Sequence, residues 1–238
     1  MIRALFLLWV LGCLPVSAQA QVDPLRSMGW EDTKDDLNHD SHLNCGALPD
    51  KSKLVVSFRA PAGVQSLERI FGYVDLCTKP YPVLPWWTFD PYTTGCRSGG
   101  LSANANFAAG PFTHTDPWGG RGLTTVSYGG SAGGSWEMAR ITVDVTVTPG
   151  APISLVAGQE YYAFQIEFAN PDVGCGGCEF PACFVLNGLL IYHDGGYVEP
   201  TTMDFYSNYV RWQGGQSDCP FIVPTLPTSW GRLKESYR

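Results

Sequence analysis

Residues 141–148, with the sequence ITVDVTVT, alternate strictly between apolar and polar side chains. Successive side chains of a β-strand point to opposite faces, so the stretch predicts a half-buried strand with Ile141 and three valines facing a core. A second alternating face runs from Tyr162 to Phe168. Both stretches end at turn signals, Thr148-Pro149-Gly150 and Asn170-Pro171-Asp172. The pattern therefore predicts a sheet rather than helices.

Other short apolar runs extend the same organisation along the chain. Leu54–Phe58, Ile70–Cys77 and Phe184–His193 are each bounded by Gly, Pro or Asp, and the last is apolar enough to be buried on both faces. Nowhere do apolar residues recur at helical spacing for three turns. We expect an all-β fold, an antiparallel β-sandwich that is jelly-roll-like.

The first twenty residues are expected to be a signal peptide. Arg3 precedes the short apolar run 4–11, and Ala18-Gln19-Ala20 offers the small residues of a cleavage site. The run is far shorter than the roughly 18 apolar residues of a membrane span. These features predict a secreted chain, periplasmic or extracellular, without a membrane span. The net charge of −7 and the absence of a cluster of cations argue against a nucleic-acid partner.

The remainder divides into three segments by composition. Residues 21–44 form an acidic N-terminal arm, for which a first strand is the alternative. Residues 45–222 carry the strand patterns and are expected to form the sandwich domain. Residues 223–238 are first Pro-rich and then basic, as is typical of a tail.

Seven cysteines follow residue 20, and in an exported chain they predict disulfides with one thiol left over. The densest group is Cys175, Cys178 and Cys183. One bridge within this group and one to Cys219 would pin a loop, and three pairings of these four cysteines remain open. Zinc binding and a redox Cys-x-x-Cys pair are the alternatives. An oxidising compartment disfavours zinc, and the strand-like run after Pro181 disfavours the redox pair.

Several strings resemble a group of uncharacterised secreted bacterial β-rich proteins. The resemblance covers most of the mature chain and implies a shared fold and export, with no assigned activity. Those relatives have cysteines near the positions of Thr33 and His114 and none at Cys77, which implies that Cys77 and Cys96 form a replacement pair. The strings are Trp86-Trp87-Thr88-Phe89, residues 96–107 (CRSGGLSANANF), residues 183–187 (CFVLN), residues 212–215 (WQGG) and residues 230–238 (WGRLKESYR).

Aromatic residues in loops and at strand ends are the functional clue. Flat rings stack on sugar faces, and the rim of a sandwich presents them well. Strand alternation predicts that one of Trp86 and Trp87 points outward. The alternative is that the rings close the ends of the core. The candidate ligand-binding residues are Trp86, Trp87, Tyr92, Trp118 and Trp212.

Asp36-x-Asn38-x-Asp40 has the oxygen spacing that opens calcium loops. Ser41 stands where the turn glycine of such loops belongs, and Ala47 stands where their bidentate glutamate belongs, so a solvated acidic arm is the alternative. Calcium is the only cofactor that the sequence suggests.

Residues 129–133 match the Gly-x-Ser-x-Gly pattern of hydrolases, but a strand rather than a helix is predicted to follow. We assign no catalytic residue. The leading hypothesis is a secreted, non-catalytic protein with an extracellular binding or surface-structural role, whose partner is an extracellular glycan or protein. The alternatives are a polysaccharide-acting enzyme on a jelly-roll scaffold and a calcium-dependent adhesin.

Overall fold

The computed structural model describes residues 26–31, 40–64, 66–78, 83–89, 96–130, 138–148, 151–170, 175–200 and 208–213. Its strands follow the short apolar runs of the sequence. They are β1 (Arg26–Trp30), β2 (Asp40–Ser41), β3 (Lys51–Arg59), β4 (Leu67–Thr78), β5 (Leu101–Asn104), β6 (Gly122–Gly130), β7 (Met138–Val147), β8 (Glu160–Ala169), β9 (Ala182–His193), β10 (Gly196–Val198) and β11 (Tyr209–Trp212).

The strands form two sheets packed face to face. The smaller sheet has the order β1-β3-β8-β5, and all of its pairs are antiparallel. The larger has the order β2-β11-β9-β4-β7-β6, with β10 paired to β9 and a single parallel pair, β2 with β11. The connections from β3 to β4 and from β8 to β9 cross between the sheets, as in Greek-key sandwiches. The predicted all-β sandwich is confirmed.

The period-two pattern decides which side chains form the core. Every second residue of β7 is buried, beginning with Ala139 and ending with Val147. Gly72 in β4 has no side chain because a Cβ there would lie 2.6 Å from the Phe164 ring of the opposite sheet. This close approach lets the sheets interlock. One end of the core is aromatic: Trp30, Trp87, Phe89, Phe168, Phe184 and Trp212.

Two strands depart from the expected patterns. In β8, Ala163 and Gln165 are buried, although they alternate with the expected core face. Gln165 Nε2 donates to the main-chain oxygen of Asn106 (2.6 Å), whereas Gln165 Oε1 is buried without a hydrogen-bond partner among the described residues. In β9 the prediction of burial on both faces holds over residues 182–186 but is wrong towards the end, where Tyr192 is partly exposed.

The segment 21–44 contributes strands to both sheets. β1 pairs with β3 along five residues, and β2 pairs with β11. Trp30 Nε1 donates to the main-chain oxygen of Arg211 (2.8 Å), which links the edges of the two sheets. Among the residues described, no helix is long and apolar enough to cross a membrane.

Two disulfides staple loops that are far apart in sequence. They join Cys45 to Cys178 and Cys96 to Cys175. The predicted bridge within the cysteine cluster is therefore wrong, and so is the zinc set, since Cys175, Cys178 and Cys183 are oxidised in different disulfides. The loop at 175–178 packs against the segment before Cys96, with Trp86 N donating to Gly176 O (3.1 Å). That packing brings cysteines from different elements together.

The remaining cysteines correct a second expectation. Cys77 is a free, buried thiol, so the Cys77–Cys96 pair is wrong. Cys183 is disulfide-bonded, and its partner lies outside the described residues. Cys219 itself lies outside them as well.

Candidate binding face

The tryptophans that we predicted as ligand carriers lie in the core. Trp86, Trp87, Trp118 and Trp212 are each 3 % exposed or less. Trp118 Nε1 donates to Ala163 O (2.9 Å), and Trp212 Nε1 donates to Cys178 O (2.7 Å). Large rings stabilise a fold most when they leave water. The prediction of sugar stacking is wrong for these four rings, and Tyr92 lies outside the described residues.

Arg97 covers one face of the Trp86 ring. Its guanidinium carbon lies 4.3 Å from the ring centroid, and its Nη1 donates to the main-chain oxygen of Trp86 (3.1 Å). Nε and Nη2 donate to Ala169 O at 3.0 and 2.6 Å. Burial lowers the pKa of Arg97 to about 9, so the group stays charged at neutral pH. The arrangement joins loops and leaves no ring face for a ligand.

Asp40 is the one predicted calcium ligand that lies among the described residues. Asp36 and Asn38 lie outside the described ranges. Both carboxylate oxygens of Asp40 accept hydrogen bonds from Arg211, at 2.5 and 2.7 Å. A cation at Asp40 would have to displace this guanidinium. In the described part of the chain, no group of three His, Cys, Asp or Glu side chains could hold a metal.

The outer face of the larger sheet carries an alternative set of exposed rings. We call Asp144, Arg69, Tyr192 and Tyr197 the exposed row. The last three are register partners on β4, β9 and β10, and Asp144 lies on β7 diagonal to Arg69. Arg69 Nε and Nη2 donate to the two oxygens of Asp144 at 2.7 and 2.6 Å. The Arg69 guanidinium carbon lies 5.0 Å from the Tyr192 centroid. The row is therefore held by one bidentate ion pair and one cation–π contact.

Tyr197 is the most accessible member of the exposed row. It is 64 % exposed, and its ring centroid lies 5.8 Å from that of Tyr192. Hydrogen bonding to Asp144 raises the pKa of Arg69 above its ordinary value, so the guanidinium stays charged. Phe71 lies beside the row, with its centroid 5.7 Å from the Arg69 guanidinium. The face offers flat rings next to fixed donors and acceptors.

A second row of side chains supports the same face nearer the start of β9. We call Asp75, Arg140, Asn187 and Arg26 the buried row, after the buried carboxylate of Asp75. Arg140 Nε and Nη2 donate to Asp75 at 2.6 and 2.8 Å, and Asn187 Nδ2 also donates to Asp75. The Asp75 side chain is 1 % exposed. Arg26 Nη1 reaches Glu199 at 3.4 Å, and Nη2 donates to Asn187 O at 3.5 Å. These contacts tie β7, β4, β9 and β1 together.

Tyr73 lies on this face beside the buried row and rests directly on the backbone of β9. A Cβ at Gly188 would fall 2.0 Å from Tyr73 Cε1, so only glycine lets the ring lie there. The Arg140 guanidinium carbon lies 4.6 Å from the Tyr73 centroid. The pKa of Arg140 is raised, chiefly by its hydrogen bond to Asp75. The buried row therefore fixes the shape of the face around the buried Asp75 carboxylate, while the Arg140 side chain remains 42 % exposed.

Sequence reasoning missed the exposed row, although one local signal pointed to it. Asp194 and Gly195 both have positive φ, 38° and 77°, and they join β9 to β10. An Asp-Gly pair between strand-like residues favours a two-residue hairpin. That hairpin sets Tyr197 opposite Tyr192. The Arg69–Asp144 pair depends on the register of β4 against β7, which no local signal reveals.

Comparisons with known proteins leave function to be inferred from this geometry. No family model matches the chain, and no curated protein matches it.

Proposed function

We propose that the protein is an exported, non-catalytic binding protein whose ligand is a glycan held on the exposed row. The observation that carries the proposal is the adjacent ring pair of Tyr192 and Tyr197 on an accessible sheet face. The apolar C–H faces of sugar rings stack on such rings, and tyrosine hydroxyls add hydrogen bonds at the rim.

The Arg69–Asp144 pair supplies polar groups at fixed positions beside the rings. Two of the five N–H groups of Arg69 are used by Asp144, so others remain to donate to sugar hydroxyls. The carboxylate oxygens of Asp144 keep lone pairs that can accept hydroxyl protons. Because the opposite charges are already paired, the row favours an uncharged ligand over an ionic one.

Export belongs to the same proposal, as does the relationship to secreted bacterial β-rich proteins. The two disulfides support a protein that matures in an oxidising compartment, where glycans are accessible ligands. A surface-structural role is compatible with the same fold, and it differs in making no use of the exposed row.

A glycan-array experiment tests the proposal. The wild-type chain and the Tyr197→Ala and Tyr192→Ala variants are compared with Phe180→Ala as control. Phe180 is 41 % exposed but precedes β9, whose first residue, Ala182, lies about ten residues or 34 Å along the strand from Tyr192. Losing one stacked ring, worth about 0.5–1.5 kcal/mol, should weaken binding about twofold to twelvefold. The Phe180→Ala variant should bind like the wild type.

Three results would count against this function. They are no retained glycan, equal binding by the tyrosine variants, and a loss of binding in Phe180→Ala as large as in Tyr197→Ala. Repeating the array with a calcium chelator distinguishes this proposal from the calcium-dependent adhesin. We expect the chelator to leave glycan binding at the exposed row unchanged. Analysis of retained oligosaccharides for cleavage products separates the enzyme hypothesis.

A further inference from the structure

Cys77 and Cys183 occupy directly opposite positions on neighbouring strands. They are register partners in the antiparallel pair of β4 and β9. Opposite residues of such a pair share a face of the sheet, with Cα atoms about 4.5–5.5 Å apart. Disulfides span Cα separations of about 4.4–6.8 Å. The backbone therefore already has the spacing that a bridge between these cysteines requires.

The two cysteines are in different oxidation states. Cys77 is a free thiol, whereas Cys183 is part of a disulfide whose other cysteine lies outside the described residues. Both are buried, at 3 % and 1 % exposure. A thiol beside a disulfide is the starting arrangement for thiol–disulfide exchange, which needs no external oxidant.

We propose that Cys77 and Cys183 are an alternative disulfide site, formed when Cys77 displaces the present partner of Cys183. The Cys77 thiol first loses its proton. Its thiolate then attacks Sγ of Cys183, and the Cys77–Cys183 bond forms as the existing S–S bond breaks. The displaced cysteine leaves as a thiolate and takes up a proton, so one thiol and one disulfide remain. The new bridge joins two central strands of the larger sheet and releases the former partner.

The folded sheet keeps this exchange slow. Desolvation, followed by the charge of Asp75 two residues away, raises the pKa of the Cys77 thiol to about 12. The attacking species is the thiolate, which is therefore scarce at neutral pH. Opening the end of the β4–β9 pair would hydrate the thiol and remove this restraint. The exchange should accordingly follow local opening of these strands.

Disulfide mapping of the full oxidised chain tests the proposal. The protein is incubated at pH 8 in urea concentrations below its unfolding transition, quenched with acid, alkylated under denaturing conditions, and digested without reduction. Chymotrypsin cleavage after Trp86 separates Cys77 from Cys96, and a glutamate-specific protease cutting after Glu179 separates Cys178 from Cys183. Cys77→Ser is the control, because it keeps the fold's other sulfur atoms but lacks the attacking thiol.

The expected product is a peptide pair linked through Cys77 and Cys183. Its rate of formation should rise about tenfold for each 1.4 kcal/mol by which urea lowers the free energy of opening. Alkylation should move from Cys77 to another cysteine while the total number of thiols per chain stays constant. The proposal is overturned if the label stays on Cys77 throughout, if Cys77 links mainly to Cys96, or if Cys77→Ser redistributes its disulfides equally fast.

Discussion

The aromatic end of the core offers a matched pair of substitutions, Trp212→Phe and Trp87→Phe. Both side chains are 1 % exposed, and their rings meet edge to face with centroids 5.2 Å apart. They differ chiefly in the hydrogen bonding of their indole N–H groups. Trp212 Nε1 donates to the main-chain oxygen of Cys178 at 2.7 Å, whereas Trp87 Nε1 is buried without a hydrogen-bond partner among the described residues.

The difference between the two variants reports mainly on that hydrogen bond. Each substitution removes a similar volume of ring from the same cluster, so the packing costs largely cancel. Trp212→Phe also leaves the Cys178 carbonyl unsatisfied, which costs about 1–3 kcal/mol. Trp87→Phe removes an unpaired buried N–H and so relieves a cost. We therefore expect Trp212→Phe to lower the free energy of unfolding by about 1–3 kcal/mol more than Trp87→Phe.

Urea unfolding of the oxidised proteins, followed by far-UV circular dichroism, measures this difference. The slopes of the two transitions should agree, so that the midpoints report stability. Neither variant should change glycan binding, because both rings lie away from the exposed row. Equal midpoints, or a larger loss in Trp87→Phe, would refute the reasoning.

Four further predictions concern buried charge and sulfur. Asp75→Asn should lower the free energy of unfolding by about 2–4 kcal/mol, and Asp144→Asn should lower it by less than about 1 kcal/mol, as measured by thermal or urea unfolding. The reason is that only the Asp75 carboxylate is fully buried beside its arginine. Equal losses in the two variants would contradict this. Cys77 should resist iodoacetamide at pH 8 until denaturant is added. Its folded pKa of about 12 lies above the unfolded value of 9.0, so its contribution to stability is present below pH 9 and lost between pH 9 and 12. Unfolding curves of Cys77→Ala across that window should therefore decline less steeply than those of the wild type, and parallel declines would refute this. Replacing Cys45 and Cys178 by Ala should lower the free energy of unfolding by about 4–5 kcal/mol in the chain-entropy model, since the bridge spans 133 residues. An unchanged urea midpoint would contradict stabilisation by this bridge.

The sandwich could be predicted from sequence because its strands carry their own signals. In β7 the alternation of ITVDVTV matches burial residue by residue. The tryptophans could not be placed in this way. Strand alternation would put one of Trp86 and Trp87 outside, but Pro85–Trp87 forms a short 3-10 helix and both rings are buried. Residues 85–87 do not have the period of a strand, so strand alternation does not predict where their side chains point.

The candidate face and the disulfides depend on contacts between distant segments. Arg69 meets Asp144 only because β4 pairs with β7 in one register, and a shift of one residue would turn either side chain into the core. Likewise, the close spacing of Cys175 and Cys178 suggested a local bridge. The packed loops instead set them beside Cys96 and Cys45. Such pairings are decided by the whole fold and leave no local sequence signal.

Chemical-shift mapping with the best-retained array oligosaccharide tests the central claim most directly. Titration into isotope-labelled protein should shift the signals of Tyr192, Tyr197 and Arg69 first, and leave Phe180 and the buried tryptophans unchanged. Perturbations centred on the smaller sheet, or spread evenly over the surface, would contradict a glycan site on the exposed row.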